Sequence, residues 1–153
     1  MAVKKQVIGN LLNLLSKTTN NTMSSYSRDF TYIENVIQAN ELAAITPNDV
    51  ILKNLKCYFK NTEVPNIIYE VFNVAYGGNT TLIELYDALR TNLAKFDPEI
   101  SNVDPIHGLN RQGDIPHSLA SIEKGKNVLG YNPEFDARKG FEKACEWYYK
   151  NLK

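Results

Sequence analysis

Residues 66–85 read NIIYEVFNVAYGGNTTLIEL, and this stretch carries the clearest structural signal in the chain. Its first part, 66–75, is rich in β-branched and aromatic side chains and predicts a buried strand. The Gly77-Gly78 pair that follows predicts a turn. Thr81 and Glu84 have the spacing of a capping box, in which each side chain satisfies a free backbone donor at a helix start. The stretch therefore predicts a strand, a turn and a helix in succession.

Helices are predicted on both sides of this stretch. Apolar spacing, start signals and stop signals favour helices over five segments: residues 1–15, 33–45, 81–95, 121–130 and 136–148. The segment 48–66 is ambiguous, and its apolar residues favour a short helix over disorder. The segments 16–27 and 98–116 are mostly loop in this interpretation, with one short strand over 103–107. The prediction is a mainly helical α/β chain with few strands.

Single residues mark the ends of several of these helices. Pro47 ends the 33–45 helix because proline lacks the backbone N–H that a helix needs. Ser121 is expected to cap the next helix after the 98–116 loop, and Gly130 to close that helix in a left-handed conformation. Asp136 is expected to open the last helix.

The charge balance and the cysteine content narrow the possible functions. Seventeen basic and seventeen acidic side chains cancel, which argues against nucleic acid or an anionic membrane surface as the main partner. Two cysteines and two histidines are too sparse for a disulfide framework or a metal cluster. No stretch approaches the roughly twenty apolar residues of a membrane span. We expect one domain over residues 1–153, in the cytoplasm, with reduced thiols and no metal.

The segment Arg111-Gln-Gly-Asp114 is a candidate ligand site. The planar guanidinium of Arg111 suits a phosphate or a carboxylate, and Gly113 allows the backbone to approach a ligand closely. The carboxylate of Asp114 can accept both hydroxyls of a ribose. The structural alternative is a solvated salt bridge or a turn, and these four residues alone favour that alternative over a ligand site.

A second candidate is the segment that contains Arg28 and Asp29, which precede a predicted helix start. Helix starts favour anions because their backbone N–H groups are free and their dipole is positive. The alternative is that Asp29 caps the helix locally while Arg28 lies in water. If the fold brings Arg28 and Arg111 together, the two guanidinium groups would clamp a diphosphate.

Four colinear segments resemble the extended short-chain dehydrogenase/reductase family, and in particular its UDP-N-acetylglucosamine 4-epimerases. The segments are SRDFTYIENV at 27–36, FNVAYGGNTTLIEL at 72–85, RQGDIPHSLA at 111–120 and KNVLGYNP at 126–133. They occur in the family's order and, with Gly140 and Trp147-Tyr148 after them, extend the resemblance along residues 26–153, whereas residues 1–25 diverge. The resemblance implies the carboxyl-terminal, substrate-binding domain of such an enzyme, without its NAD-binding Rossmann half.

The resemblance also implies roles for individual residues. Arg28 and Arg111 would hold the diphosphate of a UDP-sugar, and Asp114 would hold the uridine ribose. His117 and Ser118 would support the site from beside it. For His117, a packed and hydrogen-bonded structural role explains the residue equally well.

The chemistry of the family lies upstream of the matched segments. Its enzymes use NAD and a Tyr-x-x-x-Lys pair, and they carry a glycine-rich phosphate loop. These 153 residues contain no GxxGxxG motif, and the Tyr149 to Lys153 spacing falls at the wrong place, so we interpret it as coincidence. We therefore expect no catalytic residue and no cofactor site in this chain, although NAD serves the full-length family.

Three hypotheses follow for function. The first is the UDP-sugar-binding part of an NAD-dependent 4-epimerase, inactive alone, that interconverts UDP-GlcNAc and UDP-GalNAc for surface polysaccharide synthesis. The others are a non-catalytic module that binds a nucleotide sugar or a protein, and a degenerate fragment. Dehydratases and reductases of the superfamily share the nucleotide-holding residues, so the sugar stays open. A separate dinucleotide-binding half, or self-association through 1–15 and part of 33–45, is the expected protein contact.

Overall fold

The computed structural model describes residues 25–60, 67–105 and 113–151. In chain order the elements are β1 (Ser27–Arg28), α1 (Ile33–Ile45), α2 (Asn48–Phe59), β2 (Thr80–Thr81), α3 (Leu82–Ala94), a 3-10 helix (Pro98–Asn102), α4 (Glu123–Leu129) and α5 (Ala137–Asn151). The described part is thus mainly helical with few strands, as the sequence predicted, although the two strands of its small sheet are not the segments predicted as strands. The helix expected over 1–15 lies outside the described residues.

The described residues fall into two compact units. One unit contains 25–28, 79–105, 113–118 and 137–151, and the other contains 29–60, 67–78 and 119–136. The assignment of residues 1–153 to one domain stays a prediction.

The first unit contains the sheet and helices α3 and α5. Strands β1 and β2 pair antiparallel, with Ser27 opposite Thr81. The predicted capping box is confirmed at the start of α3: the backbone N–H of Glu84 donates to the Thr81 hydroxyl, and the backbone N–H of Thr81 donates to the Glu84 carboxylate. This backbone donor is the main reason why the pKa of Glu84 is lowered. Local sequence therefore fixes both the end of β2 and the start of α3.

Helices α3 and α5 pack against each other through an apolar stripe. Leu85, Leu89 and Leu93 are buried on α3, and Cys145 is buried on α5. Beyond this stripe, the ring of Phe96 stacks on that of Tyr149 with centroids 4.4 Å apart.

The second unit has a core in two clusters around α1, α2 and α4. Leu55 and Val128 are fully buried in one cluster, and Tyr131 is the largest side chain of the other. The hydroxyl of Tyr131 donates to the carbonyl oxygen of Ala75 at 2.7 Å, so its polar end is satisfied inside the core. Burial raises the pKa of Tyr131, and the charge of Asp29 adds to the shift.

The strand predicted over 66–75 is wrong for the residues that the structure describes, 67–75. Residues 67–74 alternate between exposed and half-buried positions, but within the described part of the chain no strand pairs with residues 67–75. Side chains bind some of their carbonyls instead: Lys124 donates to Val71 at 3.0 Å. Tyr69 and Val71 are 87% and 84% exposed. A strand needs a hydrogen-bonded partner, and composition does not encode that partner.

Several element ends differ from prediction in smaller ways. Ser121 does not cap α4: the helix begins at Glu123 after Ile122, with no side-chain cap, and the Ser121 carbonyl accepts a bond from Asn73 instead. The short strand predicted over 103–107 is absent in its described part, 103–105.

Other predicted ends are confirmed. Helix α1 spans the predicted residues 33–45, and Gly130 closes α4 with a φ of 74°. Helix α5 begins directly after Asp136. The short helix predicted within 48–66 spans Asn48–Phe59. Residues 61–66 lie outside the described residues.

Three isoleucines of α1 are largely exposed: Ile33, Ile37 and Ile45. The sequence placed part of a self-association surface on this helix, and that role stays a prediction. Within the described ranges, no helix is both long enough and apolar enough to cross a membrane.

The two cysteines differ in exposure, which gives a direct test of the fold. Cys57 is exposed, whereas Cys145 is 3% exposed, and burial raises the pKa of the Cys145 thiol to about 11. Because the thiolate is the reactive form, we expect iodoacetamide at pH 8 to alkylate Cys57 quickly and Cys145 only upon unfolding. Peptide mass spectrometry over time measures both rates. Equal rates in the native protein would contradict the packing of α5 on α3.

Candidate nucleotide-binding site

The candidate site is built where residues 113–118 run beside β1. The backbone N–H of Ser27 donates to the Pro116 carbonyl at 2.9 Å, and the N–H of Ser118 donates to the Ser27 carbonyl at 3.1 Å. A parallel bridge joins Ser27 to His117. This pairing brings together two sequence segments that are almost ninety residues apart. It confirms no ligand role by itself, but it places several predicted site residues side by side.

Ser27 anchors this pairing with its side chain as well. It is 2% exposed, and its hydroxyl oxygen lies 2.8 Å from Nδ1 of His117. The tautomer of the imidazole decides which of the two groups donates. His117 itself is exposed, so its ring tethers the segment and still faces solvent. The geometry agrees with the hydrogen-bonded structural role that the sequence left open for His117.

Arg28 and Asp114 form the charged centre of the site. Nη2 of Arg28 donates to Oδ1 of Asp114 at 2.8 Å. The side chains are 28% and 26% exposed, so the pair is partly shielded from water. The interpretation that left Arg28 in water is therefore wrong. The sequence proposed these two residues for the same nucleotide, and the structure brings them into contact.

Backbone carbonyls fix the other side of the Arg28 guanidinium. Nη1 donates to the Ser27 carbonyl at 2.9 Å and to the Pro116 carbonyl at 3.3 Å. The Pro116 carbonyl also accepts the backbone N–H of Ser27, so it joins the two segments and orients the guanidinium at once. Arg28 is thus held in one orientation by three acceptors from the described part of the chain.

Three further residues were named from the sequence for this site: Ser118, Arg111 and Gly113. Ser118 is exposed and contributes a backbone N–H to the pairing with Ser27, while its proposed side-chain role stays a prediction. Arg111 lies outside the described residues, so the clamp of two guanidinium groups also stays a prediction. Gly113 adopts a φ of 81°, and a Cβ there would meet no atom within 4 Å. At this position the glycine is required by backbone conformation rather than by a close neighbour.

Asp29, in the second unit, does not cap α1. The N-cap of that helix is Tyr32, and no side chain caps it. The Asp29 carboxylate instead accepts the backbone N–H of Gly77 at 3.1 Å, that of Gly78 at 3.4 Å and that of Ala120 at 3.4 Å. It therefore ties the 77–78 turn to the chain around residue 120.

The role of Asp29 was missed by sequence reasoning, although a signal was present. Gly77 has a φ of 80°, and a Cβ on it would lie 2.8 Å from Cδ1 of the buried Ile122. A turn with that geometry exposes its backbone N–H groups to an acceptor. The Gly77-Gly78 pair predicted the turn, but the sequence did not show which carboxylate would bind it.

The described residues do not form a metal centre. Across 25–60, 67–105 and 113–151, no group of three or more histidine, cysteine, aspartate or glutamate side chains could hold an ion. The side chains that converge at β1 and 113–118 include a guanidinium, an imidazole and one carboxylate. Such a set suits a phosphorylated ligand with hydroxyl groups rather than a divalent cation.

The fold is that of part of a short-chain dehydrogenase/reductase-type epimerase. A crystal structure of UDP-glucose 4-epimerase from Thermotoga maritima with UDP-glucose matches 96% of this chain and 40% of that one, with a TM-score of 0.63 and 23% identity. The UDP-glucuronic acid 4-epimerase of Bacillus cereus, in complex with UDP-glucuronic acid and NAD, matches 90% of this chain and 38% of that one, with a TM-score of 0.60 and 18% identity.

Sequence comparison points to the same enzymes. A probable UDP-glucuronate 4-epimerase of Rhizobium meliloti is 25% identical over 130 residues, which are 83% of this chain and 36% of that protein. No family model matches the chain. The chain is therefore similar to UDP-sugar 4-epimerases, and it spans about a third of the length of this relative and two fifths of the solved structures.

Proposed function

We propose that this chain is the UDP-sugar-binding part of an NAD-dependent nucleotide-sugar 4-epimerase. The observation that carries the proposal is the contact between Arg28 and Asp114 at the edge formed by β1 and residues 113–118. A phosphate-binding cation and a ribose-binding carboxylate must be neighbours, because the diphosphate and the ribose are neighbours in the ligand. The similarity to UDP-sugar 4-epimerases supports the same assignment.

Each residue of the site has a separate role in this proposal. Arg28 binds the diphosphate with charge-assisted hydrogen bonds, together with Arg111 from the segment that precedes Asp114. Asp114 accepts hydrogen bonds from the ribose hydroxyls. His117, through Ser27, and Ser118 hold the segment in place beside β1.

The sugar that we propose is an N-acetylhexosamine, so that the complete enzyme would interconvert UDP-GlcNAc and UDP-GalNAc for surface polysaccharide synthesis. This choice rests on the resemblance of residues 27–36, 72–85 and 111–120 to that group of epimerases. The named relatives act on UDP-glucose and UDP-glucuronate, and these sugars are the competing assignments. We further propose a cytoplasmic location, which suits the free thiols of Cys57 and Cys145.

The 153 residues alone are proposed to bind the nucleotide without turning it over. In the complete enzyme, bound NAD would supply the reversible hydride transfer at C4 of the sugar, and we assign none of the residues described above to NAD. The resemblance places the tyrosine–lysine pair and the glycine-rich loop upstream of the matched segments. A separate dinucleotide-binding half, or a second copy of the chain, would then cover the other side of the ligand.

Two measurements test this function. Isothermal titration of the chain with UDP is expected to show saturable binding, while uridine, which lacks the diphosphate, binds more weakly because Arg28 has no phosphate to contact. Incubation with UDP-GlcNAc and NAD is expected to yield no UDP-GalNAc by anion-exchange chromatography. Measurable epimerisation would contradict the proposed inactivity of the isolated chain. Absence of UDP binding would favour the degenerate fragment.

A further inference from the structure

We propose that Asp114 also acts as a positioning residue: it orients the Arg28 guanidinium, and phosphate binding by Arg28 depends on this contact. The inference deepens the proposed function and rests on it, because it assigns to Asp114 an effect on the phosphates, in addition to a bond to the ribose. It follows from the contacts within the first unit alone.

The two terminal nitrogens of the Arg28 guanidinium have different kinds of acceptor. Nη1 is bound by the carbonyls of Ser27 and Pro116, which fix one end through backbone atoms. Nη2 is bound by Oδ1 of Asp114 at 2.8 Å, which is the only side-chain acceptor for Arg28 among the described residues. Without Asp114, the guanidinium could rotate about its carbonyl contacts, because a long side chain has many rotamers. The carboxylate therefore sets the direction in which the remaining N–H groups point.

A carboxylate has two oxygens, so one group can serve two partners. Oδ1 of Asp114 binds Arg28, while Oδ2 has no hydrogen bond to the described part of the chain and is available to a ribose hydroxyl. Both roles are therefore compatible in one bound complex. Partial burial strengthens the contact with Arg28, since water screens a pair at this exposure less than a fully solvated one.

The two roles of Asp114 predict opposite changes in affinity for a ligand that has phosphates but no ribose when Asp114 is removed. A negative charge beside a phosphate repels it, so removal of Asp114 would strengthen binding of inorganic pyrophosphate if the residue served the ribose alone. If Asp114 orients Arg28, its removal weakens pyrophosphate binding, because Arg28 loses its bound orientation. The sign of the change therefore distinguishes the roles.

The experiment is an NMR titration of the 153-residue chain with inorganic pyrophosphate and, separately, with UDP. The variants are Asp114→Ala, Arg28→Ala and the double variant, with Asp87→Ala as the matched control, because Asp87 forms an exposed pair with Arg90 on α3. We expect Asp114→Ala to weaken pyrophosphate binding about three- to tenfold and to cause no further loss in the Arg28→Ala background. Asp114→Asn, which keeps an oxygen acceptor, is expected to lie between Asp114→Ala and the unchanged chain, and it replaces Asp114→Ala if that variant fails to fold.

The outcomes separate the two proposals. Unchanged or tighter pyrophosphate binding in Asp114→Ala, together with weaker UDP binding, would overturn the positioning role and leave the nucleotide site intact. An equal loss in Asp114→Ala with and without Arg28 would also overturn it. If the unchanged chain binds neither UDP nor pyrophosphate, both the site and the positioning role are wrong.

Discussion

Replacement of Arg28 by alanine is expected to weaken UDP binding by about 1.5–3 kcal/mol, because charged hydrogen bonds to the diphosphate are lost. This corresponds to a factor of about 10 to 150 in the dissociation constant. The effect should be large because three protein acceptors already fix the orientation of this guanidinium before a ligand binds. Isothermal titration of both proteins with UDP gives the two constants.

The control for this experiment is Arg90→Ala. Arg90 also pairs with an aspartate, Asp87 at 3.0 Å, but the pair lies on the surface of α3. Its removal subtracts the same charge from the protein, so any general electrostatic effect on an anion appears in both variants. Equal weakening by Arg28→Ala and Arg90→Ala would show that UDP responds to net charge and that Arg28 makes no specific contact.

Replacement of Asp29 by alanine is expected to lower the free energy of unfolding by about 1.5–3 kcal/mol. The carboxylate accepts three backbone N–H groups, from Gly77, Gly78 and Ala120, and alanine leaves all three without that acceptor. Water can reach some of these groups, which limits the loss. Chemical denaturation with urea, followed by circular dichroism, measures the change.

Two further variants serve as controls for the loss of stability in Asp29→Ala. Asp29→Asn keeps one oxygen acceptor and is expected to lose less than Asp29→Ala. Glu41→Ala removes an exposed carboxylate from α1 of the same unit and is expected to change stability by no more than about 0.5 kcal/mol. If Asp29→Ala were as stable as Glu41→Ala, the three contacts would contribute nothing measurable, and the 77–78 turn would be held by its glycines alone.

The elements that the sequence predicted correctly are those with local causes. Helix α1 covers the predicted residues, and the capping box opens α3 where Thr81 and Glu84 placed it. Gly130 ends α4 because a left-handed residue there needs no side chain. Each of these signals acts over one or two helical turns, and the sequence contains all the groups involved.

The predictions that failed required a distant partner. Residues 67–75 were predicted as part of a strand, but a strand is defined by hydrogen bonds to another strand. Ser121 has the right chemistry for a cap, yet its carbonyl binds Asn73 and the helix begins two residues later. The alternative in which Asp29 caps α1 also fails, because its carboxylate accepts backbone N–H groups some fifty and ninety residues away.

By itself the sequence determined most of the described helices and several of their ends, because side-chain chemistry and helical spacing are local properties. It also determined, through four colinear segments, which enzymes the chain resembles. Only the tertiary structure decided that Arg28 contacts Asp114 and that Asp29 binds the 77–78 turn. Contacts between residues far apart in the chain depend on how the backbone segments pair and pack, and the separation of two residues in sequence does not encode that distance.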